Sequence, residues 1–148
     1  MKNIDKFNEI TAQMFSALYE KFPEKVKFDS REILNFQGEF GEYVDGIWNE
    51  NPELPSEEVE FVQAVADWLM DEGYIKGVFQ SYSPTGTSVT LTSKGLAVMN
   101  SVPDSISESS TLGQELSSLV KEKSKEEAGK LIGHTISGMW SMVLNSLN

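Results

Sequence analysis

Residues 56–95 change hydrophobic period twice, and this limits the folds open to the chain more than any other feature. In SEEVEFVQAVADWLMDE (56–72), Val59, Val62, Val65, Ala66 and Leu69 fall on one helical face, which Phe61 and Trp68 widen. Ser56 is placed to cap this helix, and Glu57 and Glu58 sit in its first turn, where the helix dipole favours acids. Gly73 is placed to end it. The pattern then becomes that of a hairpin: YIKGVFQSY (74–82) reads as a strand, SPTG (83–86) as a turn and TSVTLT (87–92) as a second strand. Ser93 is expected to cap a short helix carrying Leu96, Val98 and Met99, and Pro103 stops its continuation.

Upstream, Ile4, Phe7, Ile10, Met14, Phe15, Leu18 and Phe22 recur at steps of three and four and predict a helix ending at Pro23. Val26 and Phe28 flank Lys27 as in a brief strand, and Asp29 with Glu32 three residues on reads as a capped helix start. That second helix is expected to carry Ile33, Leu34 and Phe36. Phe36, Phe40, Tyr43 and Ile47 then continue helical spacing through FQGEFGEYVDGIW (36–48), where three glycines weaken it, so a broken helix is read here and a loop stays open. NENPELP (49–55) reads as a loop.

This order is similar to that of winged-helix domains, over roughly residues 3–103. The resemblance is carried by VADWLMDEGYIKG, a helix running into a strand, and by LTSKG after the hairpin. WLMDEGYI, LTSKG, VPDSI and a glycine-bearing amphipathic tail together resemble uncharacterised bacterial and phage proteins. The resemblance implies a mainly α chain with a small β-hairpin (α+β), in which Leu69 and Ile75 are core residues. It implies no activity by itself, because one fold hosts many functions.

In DNA-binding winged-helix proteins the helix before the wing lies in the major groove. Here that helix holds Glu57, Glu58, Glu60, Asp67, Asp71 and Glu72 and no Lys or Arg. Residues 41–72 contain ten acidic and no basic groups, so nearly all of the net charge of −11 lies there. Phosphate contacts and guanine readout both want Lys or Arg. The wing supplies only Lys76 and Lys94, and Arg31 is the one arginine in the chain. The acidic helix face of Glu57, Glu58, Glu60, Asp67 and Asp71 is therefore expected to be solvated or to meet a basic partner, and not DNA.

No enzymatic constellation is legible. The chain has no cysteine, and His134 is its one histidine, in KLIGHTISG without neighbouring acids. No nucleophile-elbow, zinc-protease or phosphate-loop pattern occurs. No catalytic residue, metal site or cofactor is expected. The absence of an apolar leader and of a membrane-length apolar run reads as cytoplasmic.

Three segments are expected: a winged-helix domain (1–103), a serine-rich linker (104–113) and an amphipathic C-terminal helix (114–148). On that helix Ile132, Ile136, Met139, Trp140, Val143 and Leu147 share one face, with Gly129 and Gly133 on or beside it. Three uses of the face are open: pairing with a second copy, folding back on the domain, or meeting a membrane or another partner. The sequence is expected to encode a non-enzymatic protein-interaction module that forms a homodimer through this helix or binds another protein. Nucleic acid and membrane are not the expected partners, and a DNA-associated transcriptional regulator is the alternative.

Overall fold

The computed structural model describes residues 2–101 and 110–146, with side chains as far as Ile136. The fold is mainly helical with two small antiparallel hairpins, an α+β arrangement. The elements are α1 (Asn3–Lys21), α2 (Ser30–Ile33), β1 (Gly41–Val44), β2 (Ile47–Glu50), α3 (Ser56–Asp71), β3 (Ile75–Val78), β4 (Ser88–Leu91), α4 (Ser93–Asn100), α5 (Leu112–Lys121) and α6 (Lys125–Ser146).

The central element is α1. Ile10, Met14, Phe15 and Leu18 are buried as their spacing predicts, but so are Thr11 among them and Ala12 and Ser16 on the adjoining face. The apolar set packs toward α3, β4 and Tyr74, while the small residues admit α5 and α6. Ser16, for example, donates to the Ser117 hydroxyl at 3.4 Å. Ile4 and Phe22, at the two ends of the expected stripe, are 59% and 39% exposed because the core does not reach that far.

The α3 stripe is buried as expected: Val59, Val62, Val65, Ala66 and Leu69. Its cap differs. Ser56 is the first helical residue, and its hydroxyl donates instead to Glu50 Oε2 at 3.2 Å, tying the helix start to β2. Likewise Thr92, one residue before Ser93, caps α4 by accepting the Gly95 N–H at 3.1 Å. β3 and β4 pair from Ile75 with Leu91 to Val78 with Ser88, and the brief strand expected at 26–28 is a bridge in which Val26 and Val89 exchange backbone hydrogen bonds of 2.8 and 3.1 Å. Gln63 on α3 accepts the Ser81 N–H at 2.8 Å and donates to the Phe79 carbonyl at 3.0 Å, fixing the loop after β3.

The helical reading of 36–48 is overturned. α2 stops at Ile33, Asn35 has a φ of 56°, and β1 and β2 form a hairpin around Asp45-Gly46. Both turn residues have positive φ, 50° and 79°, the backbone that a two-residue hairpin turn demands and that Asp-Gly supplies. Turn chemistry outweighs an apolar spacing that glycine had already weakened.

The chain after residue 110 differs from the single appended helix expected. Thr111 and Gln114 form a capping box that starts α5 inside the expected linker. A break at Lys123, φ 61°, then separates α5 from α6. Both helices lie along α1 and share its core: Leu112, Leu116, Ala128 and Ile132 are fully buried. Gly129 and Gly133 make the approach close, since a Cβ at Gly129 would sit 3.1 Å from the Glu9 backbone nitrogen and one at Gly133 2.6 Å from the Asn8 amide. The expected linker residues 104–109 lie outside the described residues.

Ile132 is therefore a core residue of one chain. Ile132→Ala is expected to cost about 2–5 kcal/mol in denaturant unfolding, with the solution mass unchanged by light scattering.

Candidate interaction surface

The β1–β2 ribbon stands between α2 and α3 and away from the core. Opposed pairs along it share a face, and successive pairs alternate faces. Tyr43 and Trp48 oppose each other on one face, with ring centroids 5.1 Å apart, edge to face. Val44 and Ile47 oppose each other on the other. All four are exposed: Tyr43 by 73%, Ile47 by 67%, Trp48 by 49% and Val44 by 47%. Both faces of the ribbon are thus apolar at the tip and open to water. Large apolar side chains grouped in this way on a surface mark contact sites.

An isolated two-stranded hairpin is marginal in water, so the ribbon must be held at its base. Arg31 does much of this. Its guanidinium lies 4.5 Å from the Phe40 ring centroid and donates to the Gly38 carbonyl at 3.1 Å and to Glu39 at 3.4 Å. Asp29 orients it through hydrogen bonds of 3.0 and 2.7 Å while capping α2 by accepting the Arg31 N–H. Asn51 closes the other strand end, its amide donating to the Glu39 carbonyl at 2.9 Å and its backbone N–H to that of Phe40 at 2.9 Å. Phe40 also packs on Tyr82 of the β3–β4 loop. The apolar tip contributes little to this anchoring.

Electrostatically the region is one-sided. A notch of about 260 Å³ at the ribbon's base is lined by Glu39, Gly41, Glu42, Asn49, Glu50 and Asn51. Asp45 occupies the turn, and among the described residues no basic side chain lies within ion-pair distance of Glu42, Asp45 or Glu50. The acids singled out on α3 extend the same sign: Glu57, Glu58, Glu60, Asp67 and Asp71 are all exposed.

Of the tail residues singled out, Ile132 is in the core and Ile136 is half-buried against it. The side chains of Met139, Trp140 and Val143, and all of Leu147, lie outside the described residues. His134 is exposed on the rim of a largely apolar groove of about 680 Å³ between α1, α3 and α6, with Phe7, Phe61 and Trp68 on its walls. Among the described residues no three potential metal ligands converge. The ribbon was not among the residues singled out in the sequence. Its signal was present as an Asp-Gly pair flanked by the β-favouring Tyr-Val and Ile-Trp.

No protein-family model matches the chain, nor does any curated protein or any solved structure. The surface must therefore be read from its own chemistry.

The hydrogen bonds from Arg31 hold the Asp29 carboxyl below its ordinary pKa, against a smaller opposing effect of burial. A carboxyl depressed in the fold stabilises above its unfolded pKa and ceases to as pH falls through the folded value. Arg31→Met is thus expected to lower stability by about 1–3 kcal/mol at neutral pH. The difference should shrink once pH drops below about 3.9. Urea unfolding of both proteins across this range measures it.

Proposed function

We propose that the chain is a non-enzymatic protein-interaction module on an acidic winged-helix scaffold, with the β1–β2 ribbon as its contact surface, working in the cytoplasm. The observation that carries this reading is the ribbon itself: four large apolar side chains, 47–73% exposed, on an element whose anchoring does not need them. The surrounding scaffold is rigidly packed, which suits presentation of a surface.

The reading moves the contact surface from the tail, because Ile132 is already covered by α1 and Ile136 is half covered. Pairing of copies through the tail then falls to residues beyond Ile136, with Trp140 the largest side chain there. No helix among the described residues is long and apolar enough to cross a membrane.

A DNA-associated regulator is favoured by one observation, the order α1, bridge, α2, α3, β3–β4, interrupted between α2 and α3 by the β1–β2 ribbon, with the Val26–Val89 bridge beside the β3–β4 hairpin. Against it stands the face that α3 presents to solvent, where five acids are exposed and no cation is present. Carboxylates there would repel a phosphate backbone.

Photo-crosslinkers placed in living cells at positions 43 and 48, with positions 94 and 121 as controls, test the reading. Protein adducts are expected from the first pair alone, and a blank at both ribbon positions would remove the proposal. A labelled duplex at about 50 mM salt is expected to show no saturable binding. Saturable binding that charge reversal of Glu57, Glu58 and Glu60 fails to strengthen would carry the regulator reading instead.

A further inference from the structure

Resting on the ribbon as contact surface, we propose that its partner is an extended, basic polypeptide segment of another protein, bound along the β1–β2 hairpin. Its Lys or Arg side chains enter the carboxylate-lined notch at the base, and its apolar side chains cover the tip.

Three features of the ribbon converge on this chemistry. The first is charge. Glu42 and Glu50 line the notch, Asp45 caps the turn, and no basic side chain among the described residues neutralises them. The nearest guanidinium, Arg31, is already committed to Asp29 and Glu39. The cations this surface lacks must come from outside the chain. A second copy would bring the same acids face to face, and like charges brought together cost several kcal/mol. Nucleic acid and anionic lipid carry the wrong sign as well.

The second feature is backbone. Among the described residues β1 and β2 are the only strands of their sheet, so each keeps an unpaired edge. An exposed edge beside apolar side chains is the template for addition of an extended peptide, whose main chain supplies hydrogen bonds while alternate side chains select. The third is the pattern along one face. Val44 and Ile47 lie at the tip, and the next pair on that face is Glu42 with Asn49, at the notch. A strand laid beside β1 meets an apolar position, Val44, and, two residues on, an acidic one, Glu42. That spacing selects a segment in which apolar and basic residues alternate at the same interval. On the opposite face the Tyr43 and Trp48 rings, both open to solvent, offer π-surfaces to a further cation.

The test selects a displayed library of random 12-residue peptides on the full chain and measures the enriched peptides by titration. Peptides rich in Lys or Arg alternating with apolar residues are expected. Their affinity should fall at least tenfold with Trp48→Ser or Glu42→Lys, and fall with added salt. Both variants replace exposed side chains, so melting temperatures within about 3 °C of the parent confirm that the fold is kept. Enriched peptides that are neutral or acidic yet lost with Trp48→Ser would overturn the basic partner and leave the ribbon as a contact surface. Peptides indifferent to both variants would overturn both readings. Flotation with phosphatidylcholine vesicles, or a dimer mass, abolished by Trp48→Ser would assign the ribbon to lipid or to a second copy and overturn the proposal.

Discussion

The packing of α1 from two sides is the constraint on which the rest of the molecule depends. A helix flanked on one side only needs a single apolar stripe; α1 instead buries Met14, Phe15 and Leu18 toward α3 and the β3–β4 hairpin, and Ala12 and Ser16 toward α5 and α6. Its small-residue face is matched by Gly129 and Gly133 on α6, so the two backbones approach closely. Close approach increases dispersion contacts between main chains and leaves no room for a side chain to be added. The chain is thereby closed on itself: the segment after residue 110 completes the core that residues 3–100 begin.

What was legible follows from how each signal is encoded. The α3 stripe was readable because its burial is one-sided and produces a clean period; the β3–β4 hairpin was readable from its turn, since β4 buries Val89, Thr90 and Leu91 in succession. The second face of α1 was not, since Ala12 and Ser16 look like the outer side of a surface helix until a partner helix is present. The same limit hid the role of α6, whose Ile132 face has one appearance whether it meets α1 or another molecule. In 36–48 two signals competed. Phe36, Phe40, Tyr43 and Ile47 have helical spacing, while Asp45-Gly46 specifies a turn; the turn prevails because it fixes backbone geometry directly, whereas the spacing describes only side chains that are not buried.

The acidic block acquires a location from this arrangement. Residues 41–72 hold ten acids and no base, and they form one continuous region: the β1–β2 ribbon, the loop after it and the solvent face of α3. Self-repulsion within such a region lowers stability. Its members have no ion-pair partner among the described residues; Glu50 accepts from Ser56 and Asp67 from Gln63, neutral contacts that leave their charge uncompensated. Solubility alone does not require that every base be excluded over so long a stretch, nor that exposed apolar side chains sit within it.

That combination argues about order of assembly as well as surface. Charge acts at long range and brings oppositely charged partners together quickly, whereas apolar burial acts only on contact and slows release. A ribbon with carboxylates at its base and turn and aromatic and aliphatic side chains between them divides these two roles along its own length. Arg31 is the hinge of the design in a chemical sense. By pairing with Asp29 and resting on Phe40 it holds the ribbon's base to α2, and it spends the chain's single guanidinium where it leaves the outer acids uncompensated. The interaction that erects the ribbon is therefore also the one that preserves its charge for something outside the molecule.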